Sequence, residues 1–263
     1  MLTDAHCHPF DLTRVFTGFE QESEKTEILA AASACDPEEF AHNEILSQKL
    51  SSQSKISLLA CFGVHPQQPV LDTDKHLETL NALASQGRIS AIGECGFDLY
   101  NSDFRKTEFI QERIFNMHLE TAIRFELPIV LHVRRAIHKI FSAAKYLSKC
   151  KAVIFHSWSG TFEESQALLR RGINAYFSFG NIIILNHKQA MRSCALLPAE
   201  RILTETDAPY QPKRGNNYSS WQDLPQILEG ITSLRCETEN KTDKNELEKQ
   251  VEKNFRKAFS FGS

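Results

Sequence analysis

The side chains best suited to chemistry in this chain are histidines and carboxylates that follow short apolar runs. His6 and His8 are separated by one residue at the end of the first such run. On a β-strand every second side chain lies on the same face, so both imidazoles are expected to point the same way. Two neutral imidazoles that converge are natural ligands for a transition metal. Because a His-x-His pair also occurs by chance, the interpretation depends on the rest of the chain.

Further candidate ligands directly follow later apolar runs. They are Glu94, His132, His156 and Asp207. Each one alone is more simply explained as a buried polar group with an internal partner. Five apolar runs that all end in metal-competent side chains favour a shared site.

The chemistry of this ligand set indicates a metal-dependent hydrolase. Four histidines and two carboxylates suit zinc, manganese or ferrous iron and tolerate magnesium. Six ligands exceed the needs of one tetrahedral site, so two divalent cations bridged by a carboxylate are predicted. Such pairs activate water and stabilise both oxygens of an in-line phosphoryl displacement.

The elements that would position these residues alternate between apolar runs and amphipathic stretches. The predicted strands cover residues 2–6, 28–33, 56–64, 89–94, 128–132, 152–156, 174–178 and 201–204. Continuous apolar runs of this length are typical of strands buried on both faces. Eight of them predict an α/β fold with a single (β/α)8 TIM-type barrel, one domain over residues 1–263. Active sites of such barrels lie at the carboxyl ends of the strands.

The connecting segments are less uniform than the strands. Helices are predicted over residues 74–85, 104–125, 135–147, 161–170 and 188–195. The first connection, residues 9–25, reads as a loop with little helix. The densely charged segment 237–257 is interpreted as a solvated terminal helix.

Composition limits the remaining possibilities for this chain of 263 residues. The formal net charge of −3 is not typical of a nucleic-acid binder, although bound cations can supply positive charge to a phosphate substrate. The seven cysteines are scattered and form no Cys-x-x-Cys pair, which argues against a disulfide framework or a thiolate zinc site. Without a signal-like start or a long apolar run, we expect a cytoplasmic protein, no contact with membranes and a monomer.

Seven short segments together resemble one family, in the family's order. They are residues 4–8 (DAHCH), 63–66 (GVHP), 93–98 (GECGFD), 131–134 (LHVR), 156–160 (HSWSG), 205–210 (ETDAPY) and 254–259 (NFRKAF). The chain resembles the TatD-type metal-dependent deoxyribonucleases, a branch of the amidohydrolase-like barrels. The resemblance covers nearly the whole chain, and the segments are specific only in combination.

The resemblance implies how the ligands divide between two cations, Mg²⁺, Mn²⁺ or Zn²⁺. One cation would be held by His6, His8, Glu94 and Asp207, and the second by Glu94, His132 and His156. Glu94 would then bridge the two. Metal-activated water would attack phosphorus, Asp207 would orient it and take its proton, and Glu205 would act in support.

Residues near the predicted mouth of the barrel are candidates for binding substrate. They are His65, Arg134, Tyr210, Lys213 and Trp158. For His65 a structural role is an equal alternative, Lys213 has the alternative of an ordinary solvated charge, and core packing is the more general use of an isolated aromatic such as Trp158. Two departures from the family pattern, Arg135 and the segment 217–220 without a proline, bear on substrate preference rather than on metal binding.

The leading hypothesis is a deoxyribonuclease that hydrolyses phosphodiester bonds of DNA, as a 3′–5′ exonuclease acting on single strands or 3′ ends. One alternative keeps the barrel and the metals but cleaves another ester or an amide, such as an aminoacyl-tRNA ester. A third possibility is a non-catalytic binding protein that has kept the barrel.

Overall fold

Eight parallel strands form one sheet in sequential order in the computed structural model, which describes residues 1–23, 27–68, 73–238 and 242–262. The strands are β1 (Leu2–Cys7), β2 (Glu27–Ala34), β3 (Lys55–Phe62), β4 (Ala91–Asp98), β5 (Ile129–Arg134), β6 (Val153–Phe155), β7 (Ala175–Phe179) and β8 (Ile202–Thr204). Helices follow every strand, so the predicted (β/α)8 barrel is confirmed.

The described residues form twelve α-helices beside the strands. They are α1 (Pro9–Val15), α2 (Phe19–Ser23), α3 (Pro37–Gln53), α4 (Thr73–Ser85), α5 (Ser102–Lys106), α6 (Glu108–Arg124), α7 (Ile137–Ser142), α8 (Ala144–Leu147), α9 (Phe162–Arg170), α10 (Lys188–Leu196), α11 (Leu224–Cys236) and α12 (Lys244–Ala258). Within the described ranges, no helix is long and apolar enough to cross a membrane.

The seam between β8 and β1 is closed by side chains. Thr204 donates its hydroxyl hydrogen to the carbonyl oxygen of Thr3 at 2.7 Å. Just above it, the buried carboxylate of Asp4 accepts hydrogen bonds from the backbone N–H (2.9 Å) and the hydroxyl group (2.6 Å) of Thr206. These bonds hold the first and last strands together across about 200 residues of sequence.

The lower end of the barrel is filled by α12. Phe255, Ala258 and Phe259 are buried among apolar side chains inside the barrel, such as Ala5 and Val130. The expectation of a solvated terminal helix was therefore wrong for one face of α12, because apolar residues spaced at three and four positions face the strands. Residues 239–241 of that expectation lie outside the described residues.

The first connection was also predicted wrongly. It contains α1 and α2, which are seven and five residues long, too short for a clear helical period; Pro9 favours the start of α1. Residues 24 and 25 of that prediction lie outside the described residues. The single helix expected over 104–125 is divided at Thr107, where the side chain of Gln111 bonds the Thr107 hydroxyl and the Phe104 carbonyl.

Candidate metal centre

Glu94 owes its position to an irregular stretch of β4. Ile92 lies opposite Ile129 of β5 and Cys95 lies opposite Leu131, so β4 has one extra residue at this point. The extra residue is accommodated by Gly93, whose φ of 125° is the left-handed region. A Cβ atom there would lie 2.4 Å from the carbonyl oxygen of Val130, so only glycine permits this approach.

The two carboxylate oxygens of Glu94 face different sets of ligands. Oε2 lies 3.0 Å from Nε2 of His6 and 3.6 Å from Nε2 of His8. Oε1 lies 2.7 Å from Nδ1 of His132 and 2.9 Å from Nε2 of His156. Glu94 therefore stands between two groups of imidazoles at the mouth of the barrel.

Asp207 completes the group of ligand atoms on the β1 side. Its Oδ1 lies 3.6 Å from Nε2 of both His6 and His8, and Oδ2 accepts a hydrogen bond from Gln211 at 2.7 Å. The backbone N–H of Asp207 donates to the carbonyl oxygen of His6. Its φ of 56° is unusual for a residue other than glycine and marks a backbone that its surroundings hold in place.

His6 and His8 converge at the carboxyl end of β1, where their two Nε2 atoms lie 3.1 Å apart. The pairing of β1 with β2 is irregular between Asp4 and Cys7, and β1 ends before His8. Beyond the end of the strand, the backbone N–H of His8 donates to the carbonyl oxygen of Ala208 in the loop after β8, which helps to hold His8 beside His6.

The carboxylate of Glu94 is a buried anion surrounded by imidazoles, and this arrangement shifts the pKa values in the metal centre. Burial opposes ionisation of Glu94, but the charges of His156, His65 and His6 and the hydrogen bond from His132 hold its pKa well below the usual range. Burial also opposes protonation of His8, yet hydrogen bonds with Asp207 and Glu94 raise the pKa of His8 to about 10. A proton and a metal ion compete for the same nitrogen of a ligating histidine, so metal binding would release such protons.

The donor set fits divalent cations. Three groups have one ligand atom from each residue within 4.8 Å of the others: His6–Glu94–His156, His6–His8–Asp207 and His65–Glu94–His132. Imidazole nitrogens with carboxylate oxygens suit zinc, manganese and iron and tolerate magnesium. All six predicted ligands take part in these groups. His65, which was not expected to be a ligand, joins them through its Nε2 atom, 3.2 Å from Oε1 of Glu94.

Several residues that support the ligands were not identified from the sequence. Asp98 accepts a hydrogen bond from Nε2 of His132 at 3.1 Å and another from Gln67 at 2.6 Å. Ser33 lies 3.2 Å from Nδ1 of His6. Such contacts fix the ring orientation and the tautomer of a ligating histidine. The only sequence indication was that Asp98 lies in the segment 93–98.

Glu205 lies behind the ligands rather than among them. Its Oε1 accepts the backbone N–H of Ser157 at 2.7 Å and lies 3.6 Å from Nδ1 of His156. The side chain is buried. His156 is thus placed between Glu94 on one side and Glu205 on the other.

The candidate substrate-binding residues differ in accessibility. The side chain of Arg134 is 48% exposed, and Tyr210 is 50% exposed, with its hydroxyl group donating to Asp11 and its ring edge against His8. Lys213 forms an ion pair with Asp223 at 2.7 Å and donates a hydrogen bond to Gln226 at 2.8 Å. Arg134 is the last residue of β5, and Tyr210 and Lys213 lie in the loop after β8.

Trp158 packs in the core, which was the alternative to its predicted contact with substrate. Its side chain packs against Phe155 and Phe177, and only 3% of the residue is exposed. A base of the substrate therefore has no access to the indole ring. The expected contact between Trp158 and substrate is replaced by a role in the core.

A barrel with buried histidines and carboxylates at the carboxyl ends of its strands defines a metal-dependent hydrolase. The family described as TatD related DNase matches residues 3–260. The chain belongs to this family.

Named relatives of the chain support its membership of this family. The 3′-5′ ssDNA/RNA exonuclease TatD of Cronobacter sakazakii is 35% identical over 188 residues, which cover 66% of this chain and 68% of the relative. The Escherichia coli K12 protein of the same name is 32% identical, with 73% and 75% covered. The crystal structure of the E. coli TatD homologue YJJV has 24% sequence identity, a TM-score of 0.80 and 98% coverage of both chains. That likeness supports the fold.

Proposed function

We propose that this chain is a divalent-metal-dependent nuclease that removes nucleotides from the 3′ ends of single-stranded DNA. Residues 1–263 would act as one barrel domain with two cations. The observation that carries the proposal is the position of Glu94, whose two carboxylate oxygens face separate ligand groups. The names of the relatives supply the substrate class and the direction of attack. The cytoplasmic location and the monomeric state stay predictions.

The ligands divide as the two sides of Glu94 suggest. His6, His8 and Asp207 would hold one cation and His132 and His156 the other, with Glu94 between them. When bound, such a pair activates water and stabilises charge on the oxygens of an in-line phosphoryl displacement. His65 is placed to complete the second side or to contact a phosphate oxygen.

Asp207 is the proposed acceptor of the proton from the attacking water. Burial would raise its pKa, but the hydrogen bond with His8 and the charges of His156 and His6 keep the pKa below the usual value, so it is available as a base. Gln211 holds its second oxygen in place. Glu205 would support this arrangement through His156, which it orients.

The substrate strand would enter beside Arg134 and Tyr210. Arg134 offers an exposed guanidinium group to a phosphate, and Tyr210 lies against His8 at the rim. Lys213 would contribute positive charge only in part, because Asp223 already neutralises it.

The test is cleavage of an end-labelled single-stranded oligonucleotide by protein freed of metal with a chelator, with magnesium, manganese or zinc added back singly. The expected result is a ladder that recedes from the 3′ end and is absent with Glu94→Ala. Glu120→Ala, an exposed glutamate of α6, is the control and should leave cleavage unchanged. No cleavage despite demonstrated metal binding would refute the nuclease and favour hydrolysis of another ester or amide.

A further inference from the structure

Three arginine side chains surround one tyrosine beside the metal centre. We call this group the arginine rim and define it by Tyr100, Arg105, Arg134 and Arg135. The guanidinium carbon of Arg134 lies 3.8 Å from the centre of the Tyr100 ring, and that of Arg135 lies at 4.5 Å. Such cation–π contacts hold an exposed guanidinium group in one orientation.

The backbone also directs these side chains. Arg135 has a φ of 55°, a left-handed conformation that is unfavourable for arginine and persists only where the surroundings fix it. Its Nη1 donates to the carbonyl oxygen of Tyr100 at 3.2 Å, and Nη2 of Arg105 donates to the same oxygen at 3.4 Å. The ring of Tyr100 therefore contacts Arg134 and Arg135, and its carbonyl oxygen accepts hydrogen bonds from Arg105 and Arg135.

The positive charge of the rim is not neutralised by the acidic residues of α5 and α6. Three of the four carboxylates on these helices form ion pairs with lysines, namely Asp103–Lys106, Glu108–Lys139 and Glu112–Lys139. Among the residues that the structure describes, Arg105 and Arg135 have no carboxylate within ion-pair distance. Arg134 has only Asp98, at 3.9 Å. The rim is thus locally cationic in a chain with a net charge of −3.

The rim adjoins the metal centre through a short series of contacts. Nδ1 of His132 contacts Glu94, and its Nε2 contacts Asp98. Asp98 in turn faces Arg134. Arg134 is therefore the member of the rim that contacts this series, and Arg135 is joined to Arg134 through the ring of Tyr100.

We propose that Arg135 binds a phosphodiester group of the substrate strand beyond the scissile bond. The inference rests on the proposed nuclease function and adds to it a preference for substrates with several phosphates. Tyr100 is a positioning residue, because its ring already carries two guanidinium groups. Two guanidinium groups held on one ring beside the metal centre would bind successive phosphates of one strand.

The experiment compares a short single-stranded oligonucleotide with bis(p-nitrophenyl) phosphate, which has one phosphodiester. Arg135→Gln should lower kcat/KM for the oligonucleotide about fivefold to tenfold, mainly through KM, because a charged hydrogen bond is lost. Hydrolysis of the small substrate should not change. The slope of log KM against log salt concentration should become shallower by about 0.7, as expected for one lost phosphate contact.

The matched control is Arg171→Gln. Arg171 is exposed and also lies over an aromatic ring, that of Phe141 at 4.7 Å, but it precedes β7 at the opposite end of the barrel. The control should show neither effect. Tyr100→Phe should retain normal kinetics, since the ring is kept, and Tyr100→Ala should reproduce part of the Arg135→Gln defect.

A neutral methylphosphonate, moved along the oligonucleotide one linkage at a time, locates the contact. At one linkage beyond the scissile bond it should slow the unsubstituted protein but not Arg135→Gln. Equal kinetics of Arg135→Gln and Arg171→Gln on an oligonucleotide that is cleaved would overturn the subsite alone. An unsubstituted protein that cleaves no oligonucleotide would overturn the proposed function and the subsite together.

Discussion

His118, a residue outside the metal centre, positions the segment that contains His65. The imidazole is fully buried on α6, where Nδ1 donates to the carbonyl oxygen of Ile114 and Nε2 accepts the backbone N–H of Val64, both at 2.8 Å. This pattern requires the neutral ring. Burial lowers the pKa of His118 to about 4.

His118 should make folding stability depend on pH. Its pKa in the folded protein is below the unfolded value near 6.5, so its stabilising effect is complete above pH 6.5 and is lost as the pH falls toward 4. Between pH 8 and pH 5 the unfolded state alone gains this proton, at a cost of about 2 kcal/mol to the folded state. Urea unfolding at both pH values measures the loss.

The His118→Gln variant isolates this contribution. It is expected to be less stable at pH 8 but to lose about 2 kcal/mol less than the unsubstituted protein on acidification to pH 5. Equal losses in the two proteins would mean that other groups account for the acid sensitivity.

At the scale of elements, α12 has two functions in the fold. The side chain of Asn254 donates hydrogen bonds to the carbonyl oxygens of Ala199 and Ile202, which fastens the helix beneath β8. Phe255 and Phe259 pack against each other with tilted rings and close the lower end of the barrel. The helix is therefore part of the barrel core despite its highly charged sequence.

Removal of one of these rings should be costly. Phe255→Ala should lower the free energy of unfolding by about 3–5 kcal/mol, because it leaves a cavity among fully buried side chains. Lys257→Ala, on the exposed face of the same helix, should change it by less than about 0.5 kcal/mol. Urea unfolding of the two variants measures the difference; similar stabilities would show that the barrel does not need this ring.

Elements with an unambiguous pattern were predictable from the sequence, and the others were not. The apolar runs around Ile154 and Leu203 are long enough for a buried strand and short enough to exclude a helix. The face of α12 was missed because lysine and glutamate outnumber the apolar residues that decide its position. The irregularities of β1 and β4 depend on contacts with neighbouring strands, which no single run of residues contains.

At the scale of the whole molecule, the metal centre joins strands from all around the barrel. Its atoms come from the interior of β4, from the ends of β1, β5 and β6, and from the loops after β3 and β8. A ligand that binds only this folded arrangement stabilises it by mass action. Bound metal should therefore raise the melting temperature of the protein as well as support its activity.

Chelation should lower the Tm of the metal-loaded protein by about 5–10 °C when the cation was present at about one hundred times its Kd. Scanning calorimetry with and without chelator measures the shift. The Glu94→Gln variant should show little of this decrease in Tm, because a neutral amide replaces the carboxylate between the two ligand groups. A full shift in this variant would locate the stabilising cations elsewhere.

The ligand set was predictable because barrel topology brings the carboxyl ends of all strands to one rim, so His132, His156 and Asp207 had to be neighbours. The supporting residues were not. Gln211 and Ser33 are common polar residues whose importance depends on the atoms that they reach. Trp158 follows His156 closely in sequence, but its side chain packs behind the rim against Phe155 and Phe177.

The side-chain seam between β1 and β8 has a consequence for the synthesis of the protein. Asp4 emerges from the ribosome first, but its partner Thr206 is made some two hundred residues later. Until then His6 and His8 have no Asp207, and the lower end of the barrel still lacks α12. A growing chain therefore carries unpaired strand edges until β8 has been made, and it completes its metal centre only after that point.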